Sequence, residues 1–167
     1  MPNNKYTLLY IIALMLLLTA CDGQTVYNHY EHTLLSGWER NDTLTFCVPG
    51  MEGGGSYAED IGVCINGKYP FRDICLVIEQ TIFPSQTVYL DTLDCSLIDK
   101  QGHATGHGIS QYQYLFPLRR LQLEKGDSLR IAIRHDMKRE ILPGIANIGV
   151  KLSKSAAYGD WHPAAGK

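Results

Sequence analysis

The chain has 167 residues, with 15 lysine or arginine against 17 aspartate or glutamate and a formal net charge of −2. This balance excludes the strongly basic surface of a nucleic-acid-binding protein, and no glycine-rich phosphate loop or nucleotide fingerprint is present. Removal of the first 20 residues would leave 147, which suits one domain with a real hydrophobic core.

The N-terminus predicts a lipoprotein signal peptide over residues 1–20. A short basic segment is followed by the apolar run Tyr6–Leu18, which is shorter than the ~20 residues of a membrane-spanning helix. Leu18-Thr19-Ala20-Cys21 then resembles a bacterial lipobox, in which the cysteine is acylated and becomes the first mature residue. We therefore expect cleavage before Cys21, a durable lipid anchor on its thiol and amine, and a tether over residues 21–25. The alternative is an ordinary signal peptide that precedes a cysteine by chance.

Alternating apolar and polar residues predict about eight short strands separated by Gly, Pro and Asn turns, with no helix of ten or more residues. The one short helical turn is expected over Leu118–Glu124. Pro49–Ser56 lacks periodicity and is expected to be a mobile surface loop. Half-buried antiparallel strands must cover one another, so we predict an all-β antiparallel sandwich, jelly-roll-like or Greek-key, over residues 26–152. Residues 153–167 are expected to form a flexible tail. The strands are predicted at Val26–Leu35, Thr43–Val48, Ile61–Ile65, Ile74–Phe83, Thr87–Asp99, Ser110–Leu118, Leu129–His135 and Ile148–Leu152.

Four cysteines follow the predicted lipidation site, namely Cys47, Cys64, Cys75 and Cys95. Cys47 and Cys64 fall on the face opposite to their apolar neighbours, so a bridge between them would be possible if their strands were adjacent. Cys95 shares a face with leucines and is expected to be a small buried hydrophobe. Free thiols are the favoured interpretation, and a disulfide is the alternative.

No set of residues predicts catalysis or a metal site. His29 and His32, like His103 and His107, have the spacing of a ligand pair, but no cysteine or carboxylate nearby completes either set. His135 is followed by Asp136, yet neighbours on a strand point to opposite faces, so the carboxylate cannot orient the imidazole as a general base. We therefore expect a protein that is not an enzyme and has no cofactor apart from lipid on Cys21.

The densest polar segment lies near the end of the domain, beside a Pro-Gly pair suited to the centre of a type II turn. Solvated charge at a strand end is one interpretation, and a surface that contacts a partner is the other. For the second interpretation we propose a set of contact residues: Arg134, Asp136, Lys138, Arg139, Glu140, Pro143 and Gly144.

A carbohydrate-binding sandwich is an alternative function. It would use Tyr112, Tyr114 or Trp38 as platforms on which a sugar ring stacks. The two tyrosines share a face with Phe116, which favours a place in the core.

Seven segments of the domain together carry a recognisable pattern, namely Val26–Tyr30, Ser36–Glu39, Asn66–Phe71, Glu79–Pro84, Gly126–Leu129, Arg134–Met137 and Arg139–Ile145. With these segments the chain resembles, from about Val26 to Leu152, the GldH family of gliding-motility lipoproteins of Bacteroidetes. The resemblance implies a non-enzymatic lipoprotein of the cell envelope, associated with the gliding or a secretion-linked machinery, with no catalytic residues to carry over. Its partners would be the membrane, through the lipid, and other proteins of that machinery, with no nucleic acid and no small-molecule substrate. The family pattern does not require Cys47, Cys64 or Cys75.

The residues after Cys21, Asp22-Gly23-Gln24-Thr25, lack the acidic cluster that resembles the surface-export signal of such lipoproteins. We therefore expect a membrane-anchored lipoprotein of the outer membrane that faces the periplasm.

Overall fold

The computed structural model describes residues 25–155, and over this range the chain is all-β with no helix. The predicted fold class is confirmed. The strands are β1 (Thr25–His32), β2 (Trp38–Glu39), β3 (Leu44–Val48), β4 (Gly55–Asn66), β5 (Asp73–Phe83), β6 (Thr87–Ser96), β7 (Gln111–Leu123), β8 (Ser128–His135), β9 (Ile141–Leu142) and β10 (Ile145–Lys154).

Eight of these strands form two antiparallel four-stranded sheets that face each other. One sheet has the order β1-β10-β4-β7 and the other has the order β3-β8-β5-β6. Every connection between these eight strands except β5–β6 crosses from one sheet to the other, and this order of strands is that of a jelly roll. The two remaining strands, β2 and β9, pair only with each other.

The strand directions give the sandwich two distinct ends. The connections β1–β3, β4–β5, β6–β7 and β8–β10 lie together at what we term the far end. The connections β3–β4, β5–β6 and β7–β8 lie at the opposite, near end. β1 begins at Thr25, opposite Ser153, and ends at His32, opposite Asn147. Because β10 starts at the far end with Ile145, the start of β1 lies at the near end, where the chain enters the domain.

The core lies between the sheets and is built by the predicted alternation. On β8 the side chains of Leu129, Ile131, Ile133 and His135 are all buried, whereas Arg130 and Arg134 are exposed. Buried aliphatic side chains of β5 lie beside them in the same sheet, and those of β4 and β10 belong to the opposite sheet and complete the core. Burial of each such side chain stabilises the fold by about 1.5–3 kcal/mol, so the inner faces together hold the sandwich closed.

The helical turn predicted over Leu118–Glu124 is wrong, because these residues continue β7 as far as Leu123. A bulge in the β4–β7 pairing, where Asp60 faces Pro117 but Glu59 faces Arg119, shifts the alternation by one residue. Leu118 and Arg119 therefore do not alternate as strand residues do, and the sequence pattern at this point resembles that of a helix.

The loop predicted over Pro49–Ser56 is shorter and more firmly held than expected, because β4 already begins at Gly55. Met51 is buried, its N–H donates to Asp127 O (2.8 Å), and its carbonyl accepts from Gly126 N–H (2.8 Å).

At the C-terminal boundary of the domain, β10 continues to Lys154, so Ser153 and Lys154 belong to the sheet and not to the predicted tail.

The alternative prediction, a disulfide between Cys47 and Cys64, is wrong, since all four cysteines of the described range are free. Cys47 lies on β3 and Cys64 on β4, in different sheets, so their outward positions are on opposite sides of the sandwich. Cys95 is buried as predicted. Burial raises the pKa of Cys75 to about 11, with the Asp94 carboxylate adding to the effect, so this thiol is protonated at neutral pH.

The predicted signal peptide, the acylated Cys21, its tether up to residue 24 and the tail from residue 156 lie outside the described residues. Within residues 25–155 no helix is long and apolar enough to cross a membrane.

Candidate contact surface at the far end

The contact residues predicted from sequence lie on or beside the β8–β10 connection at the far end. A two-stranded β-ribbon fixes this connection to the β1–β3 connection. Its strand β9 pairs with β2 of the β1–β3 connection, with Trp38 opposite Leu142 and Glu39 opposite Ile141. Gly37, immediately before β2, has φ +120° and lies against Ile141, where a Cβ would collide. The two connections therefore form one structural unit.

Trp38 and His135 join this unit to the core. Both side chains are fully buried, with ring centroids 5.2 Å apart at 72°. The indole N–H donates to Asp42 O (3.0 Å), while the Met137 N–H donates to His135 Nδ1 (3.4 Å). His135 Nε2 must then carry the proton and donate to Trp38 O (3.2 Å). Burial lowers the pKa of His135, so the ring stays neutral and acts as a structural link.

Arg40 connects the same two segments at the surface. Its backbone N–H donates to Glu140 O (2.7 Å), and its Nη2 donates to Asp136 Oδ1 (2.9 Å). This hydrogen bond and the positive charge of Arg40 lower the pKa of Asp136. Asp136 is therefore paired on the solvent side while His135 points into the core, so the two neighbours cannot act together on a substrate.

The Pro143-Gly144 turn packs against the β4–β5 connection. Gly144 has φ +83°, as the third position of a type II turn requires, and its carbonyl accepts from Asn66 N–H (2.8 Å). The backbone of Tyr69 lies where a Cβ of residue 144 would be. Tyr69 is itself buried, and its hydroxyl donates to Asp73 O (2.8 Å). The turn thus ties a third connection into the far end.

The structure brings some of the predicted contact residues together and separates others. Lys138, Arg139 and Glu140 are consecutive and exposed, and we term these three residues the tip of the β8–β10 connection. Asp136 lies close to them in the chain. Arg134 is exposed on β8, on the outer face of the sheet rather than at the tip. Pro143 and Gly144 lie at the other side of the connection, beside β4.

Sequence reasoning missed the apolar part of this surface. Four large hydrophobic residues are exposed at the far end, and two of them are almost completely so. They come from three different connections, which is why no local pattern unites them. The strand predicted over Val26–Leu35 is too long, because β1 ends at His32 and leaves Leu34 and Leu35 in the connection with no strand face to bury them. Their position directly before Ser36-Gly37 is the one signal that could have been found. The four residues are Leu34, Leu35, Ile109 and Ile141.

Two of the three aromatic residues considered as sugar-stacking platforms are buried and cannot stack on a sugar. Trp38 is fully buried, and Tyr114 is buried with its hydroxyl donating to Leu97 O (2.7 Å). Tyr112 packs against the core from a partly buried position. Within residues 25–155 no three His, Cys, Asp or Glu side chains come together as metal ligands, and His103 and His107 lie in the β6–β7 connection.

Comparison with known proteins gives the family. The sequence model of the GldH lipoprotein family matches residues 25–152, which is nearly the whole described domain. The chain belongs to the GldH lipoprotein family. This confirms the resemblance inferred from the sequence.

Two GldH relatives cover most of the chain. The gliding motility lipoprotein GldH of Flavobacterium johnsoniae is 21% identical over 146 residues, which are 83% of this chain and 91% of that protein. A GldH homolog of Christiangramia forsetii is 21% identical over 162 residues, with coverages of 92% and 98%.

Solved structures give only weak likenesses. A family GH115 4-O-methyl-α-glucuronidase matches with a TM-score of 0.47 and 11% identity, over 81% of this chain but 18% of that one. The Eiger TNF of S. frugiperda matches with a TM-score of 0.36 and 13% identity, over 82% and 96% of the two chains. Such scores carry no inference about the function of this GldH chain.

Three of the segments on which the GldH resemblance was recognised meet at the far end. Ser36–Glu39 contains β2, Asn66–Phe71 forms the β4–β5 connection, and Arg139–Ile145 contains β9 and the Pro-Gly turn. These segments are distant in sequence and contact one another through the backbone bonds described above. The far end is therefore the candidate functional surface.

Proposed function

We propose that this GldH-family chain is an outer-membrane lipoprotein that works by contact with other proteins of the gliding machinery, and that its far end is the contact surface. The lipid on Cys21 would hold the near end at the membrane, facing the periplasm. The family and its relatives' names support the lipoprotein and the machinery. The site of contact, the partner and the leaflet are our proposal.

One observation carries the choice of surface. The far end combines exposed leucine and isoleucine side chains with the exposed charges of Lys138, Arg139 and Glu140, at the end of the sandwich opposite to chain entry. A protein interface typically has an apolar centre and a polar rim, and an anchored protein can offer a partner only the surface that its own membrane does not cover. Contact is favoured over catalysis because His135 is buried in the core while Asp136 is paired with Arg40 on the solvent side, so the two side chains cannot act together.

The proposal is tested by reversing charge at the tip. Arg139→Glu combined with Glu140→Lys keeps the net charge and changes two exposed side chains, so the fold should be unaffected. Formaldehyde crosslinking in intact cells should then give at least a severalfold lower yield of the protein adducts that the unaltered chain forms.

The matched control is at the near end, where Glu124 and Lys125 are an equally exposed pair of neighbours with opposite charge. Glu124→Lys with Lys125→Glu should leave the adducts unchanged. Loss of adducts in the near-end variant alone would place the contact at the wrong end for our proposal. Protease treatment of intact cells should leave the domain undigested if it faces the periplasm.

A further inference from the structure

A groove of about 440 Å³ lies at the far end, on the Pro143-Gly144 side of the β8–β10 connection. Leu34 and Leu35 from the β1–β3 connection line one part of it, and the Pro143-Gly144 turn and Lys68 line another. Its size lies within the range of ligand sites, and it is bounded by segments that hydrogen bonds fix to one another. Thr33 is one such point, since its N–H donates to Ala146 O (3.2 Å) and its hydroxyl to Ile145 O (2.6 Å).

The leucines give the groove an apolar part that nothing in the described chain covers. Leu34 is 60% exposed and Leu35 is fully exposed, although each lies within four residues of the buried Trp38. Two adjacent leucines in water at the rim of a concave site are typical of a surface that another molecule covers.

The polar part of the groove has an unmatched acceptor. The side-chain oxygen Oδ1 of Asn147 is shielded from solvent and has no hydrogen-bond partner in the described residues, and Asn147 lines the groove. It follows an irregularity in the β10–β4 pairing between residues 145 and 147. A buried acceptor that lacks a donor is costly, and an N–H group brought by a ligand would satisfy it once the Asn147 side chain turns toward the groove.

The charge of the groove is positive. Among the lining residues, all of them within the described range, Lys68 alone carries a formal charge at neutral pH. Its backbone N–H donates to Asn66 Oδ1 (3.0 Å), which holds the loop in place and leaves the ammonium exposed. A carboxylate is the complementary group.

We propose that this groove binds an extended segment of a partner protein that presents an apolar side chain to Leu34 and Leu35, a backbone N–H to Asn147 and a carboxylate to Lys68. The inference rests on the proposed function, since it names the chemistry of the partner at the same end of the sandwich. An extended peptide supplies all three groups within a few residues, because successive side chains alternate while the backbone donors repeat.

The test uses a photo-crosslinking amino acid, p-benzoylphenylalanine, in the full chain in its own cells. At position 35 we expect one dominant adduct, in which the captured peptide contains an Asp or Glu and an apolar residue close together. The matched control is position 90, because Leu90 is 69% exposed on β6, away from the far end, and should give no such adduct.

Charge reversal separates binding from mere proximity. Lys68→Glu should lower the yield of the adduct at position 35 about fivefold, which is the scale of one exposed ion pair turned repulsive. Lys100→Glu changes an equally exposed lysine in the β6–β7 connection, outside the groove, and should have no effect.

Capture of lipid, glycan or a second copy of this chain at position 35 would overturn the proposal, as would a captured peptide without an acidic residue or equal effects of the two lysine variants. The outcome is independent of the tip experiment. If Arg139→Glu with Glu140→Lys removes adducts but position 35 captures nothing, the groove is wrong and the contact function stands. If neither experiment finds a partner, both fail.

Discussion

At the scale of single residues, Glu59 is the most unusual group in the described domain. It lies on β4, is 1% exposed, and its Oε2 accepts a hydrogen bond from Gln80 Nε2 of the opposite sheet (2.9 Å). Burial raises its pKa to about 7, and the Gln80 hydrogen bond and the charge of Arg119 only partly oppose this. The second oxygen of Glu59 has no partner among the described residues.

This burial makes stability depend on pH. Between the ordinary carboxyl pKa and about 7 the folded chain holds a proton that the unfolded chain has released, so folding is favoured at low pH and the contribution is lost as pH rises through 7. A shift from 4.5 to about 7 corresponds to about 3 kcal/mol at ~1.4 kcal/mol per pKa unit. We therefore expect Glu59→Gln to raise the free energy of unfolding at pH 8 by about 1–3 kcal/mol, and to change it little at pH 5.

Urea denaturation of the full chain in detergent, followed at both pH values, measures this effect. Glu79→Gln is the control, since Glu79 is an exposed carboxylate on β5, next to Gln80, and should give no such difference. Parallel pH curves for the unaltered chain and Glu59→Gln would show that the buried carboxyl is not the group responsible.

At the scale of elements, the far end depends on the close packing of the Pro143-Gly144 turn against the β4–β5 connection. Gly144→Ala must accommodate a Cβ both at φ +83° and where the backbone of Tyr69 lies. Gly126→Ala meets only the first demand, because Gly126 has φ +95° with nothing within 4 Å of the added Cβ. We expect Gly126→Ala to cost about 1 kcal/mol and Gly144→Ala at least about 2 kcal/mol more, since backbone must move.

Thermal unfolding of the two variants gives the comparison directly. Equal losses of stability would mean that the turn moves away from Tyr69 without cost, and the far end would then be less rigid than its hydrogen bonds indicate.

The strands themselves were largely predictable, because alternation depends on the period-two geometry of a strand over one buried face. β8 shows this most clearly, since the alternation over the predicted strand Leu129–His135 continues along the whole of β8. β2 and β9 could not be found, because two residues carry no period. The second half of β7 was misread, since the bulge opposite Glu59 and Asp60 breaks the alternation.

The candidate site was predictable only in its charged part. The run from Lys138 to Glu140 is contiguous and visible in the sequence, whereas the groove is assembled from β1, β4, β7 and β10 together with their connections. Arg40 is 96 residues from Asp136, and Lys68 reaches the groove only because the jelly-roll connections return four times to the same end. Such proximity depends on topology and leaves no local trace.

At the scale of the whole molecule, the predicted anchor and the fold together set an orientation. Thr25 is the fourth residue after Cys21, and four extended Cα–Cα steps reach at most about 14 Å. β1 then runs for eight residues, or about 27 Å, toward the far end. If Cys21 carries the lipid, the near end is held close to the bilayer and the far end is raised above it.

This orientation predicts which residues meet lipid. With p-benzoylphenylalanine in native membranes, position 125 in the near-end β7–β8 connection should form lipid adducts, whereas position 109 at the far end should form few or none, although Ile109 is almost fully exposed. Cys21→Ser should abolish the lipid adducts at position 125 and release the chain from the membrane fraction, because no acyl chain remains to hold it. Cys47→Ser removes another exposed cysteine and should change neither result. Equal lipid adducts at positions 125 and 109 would mean that the domain lies on its side against the bilayer. In that case the far end would lose the access to partners on which the contact function depends.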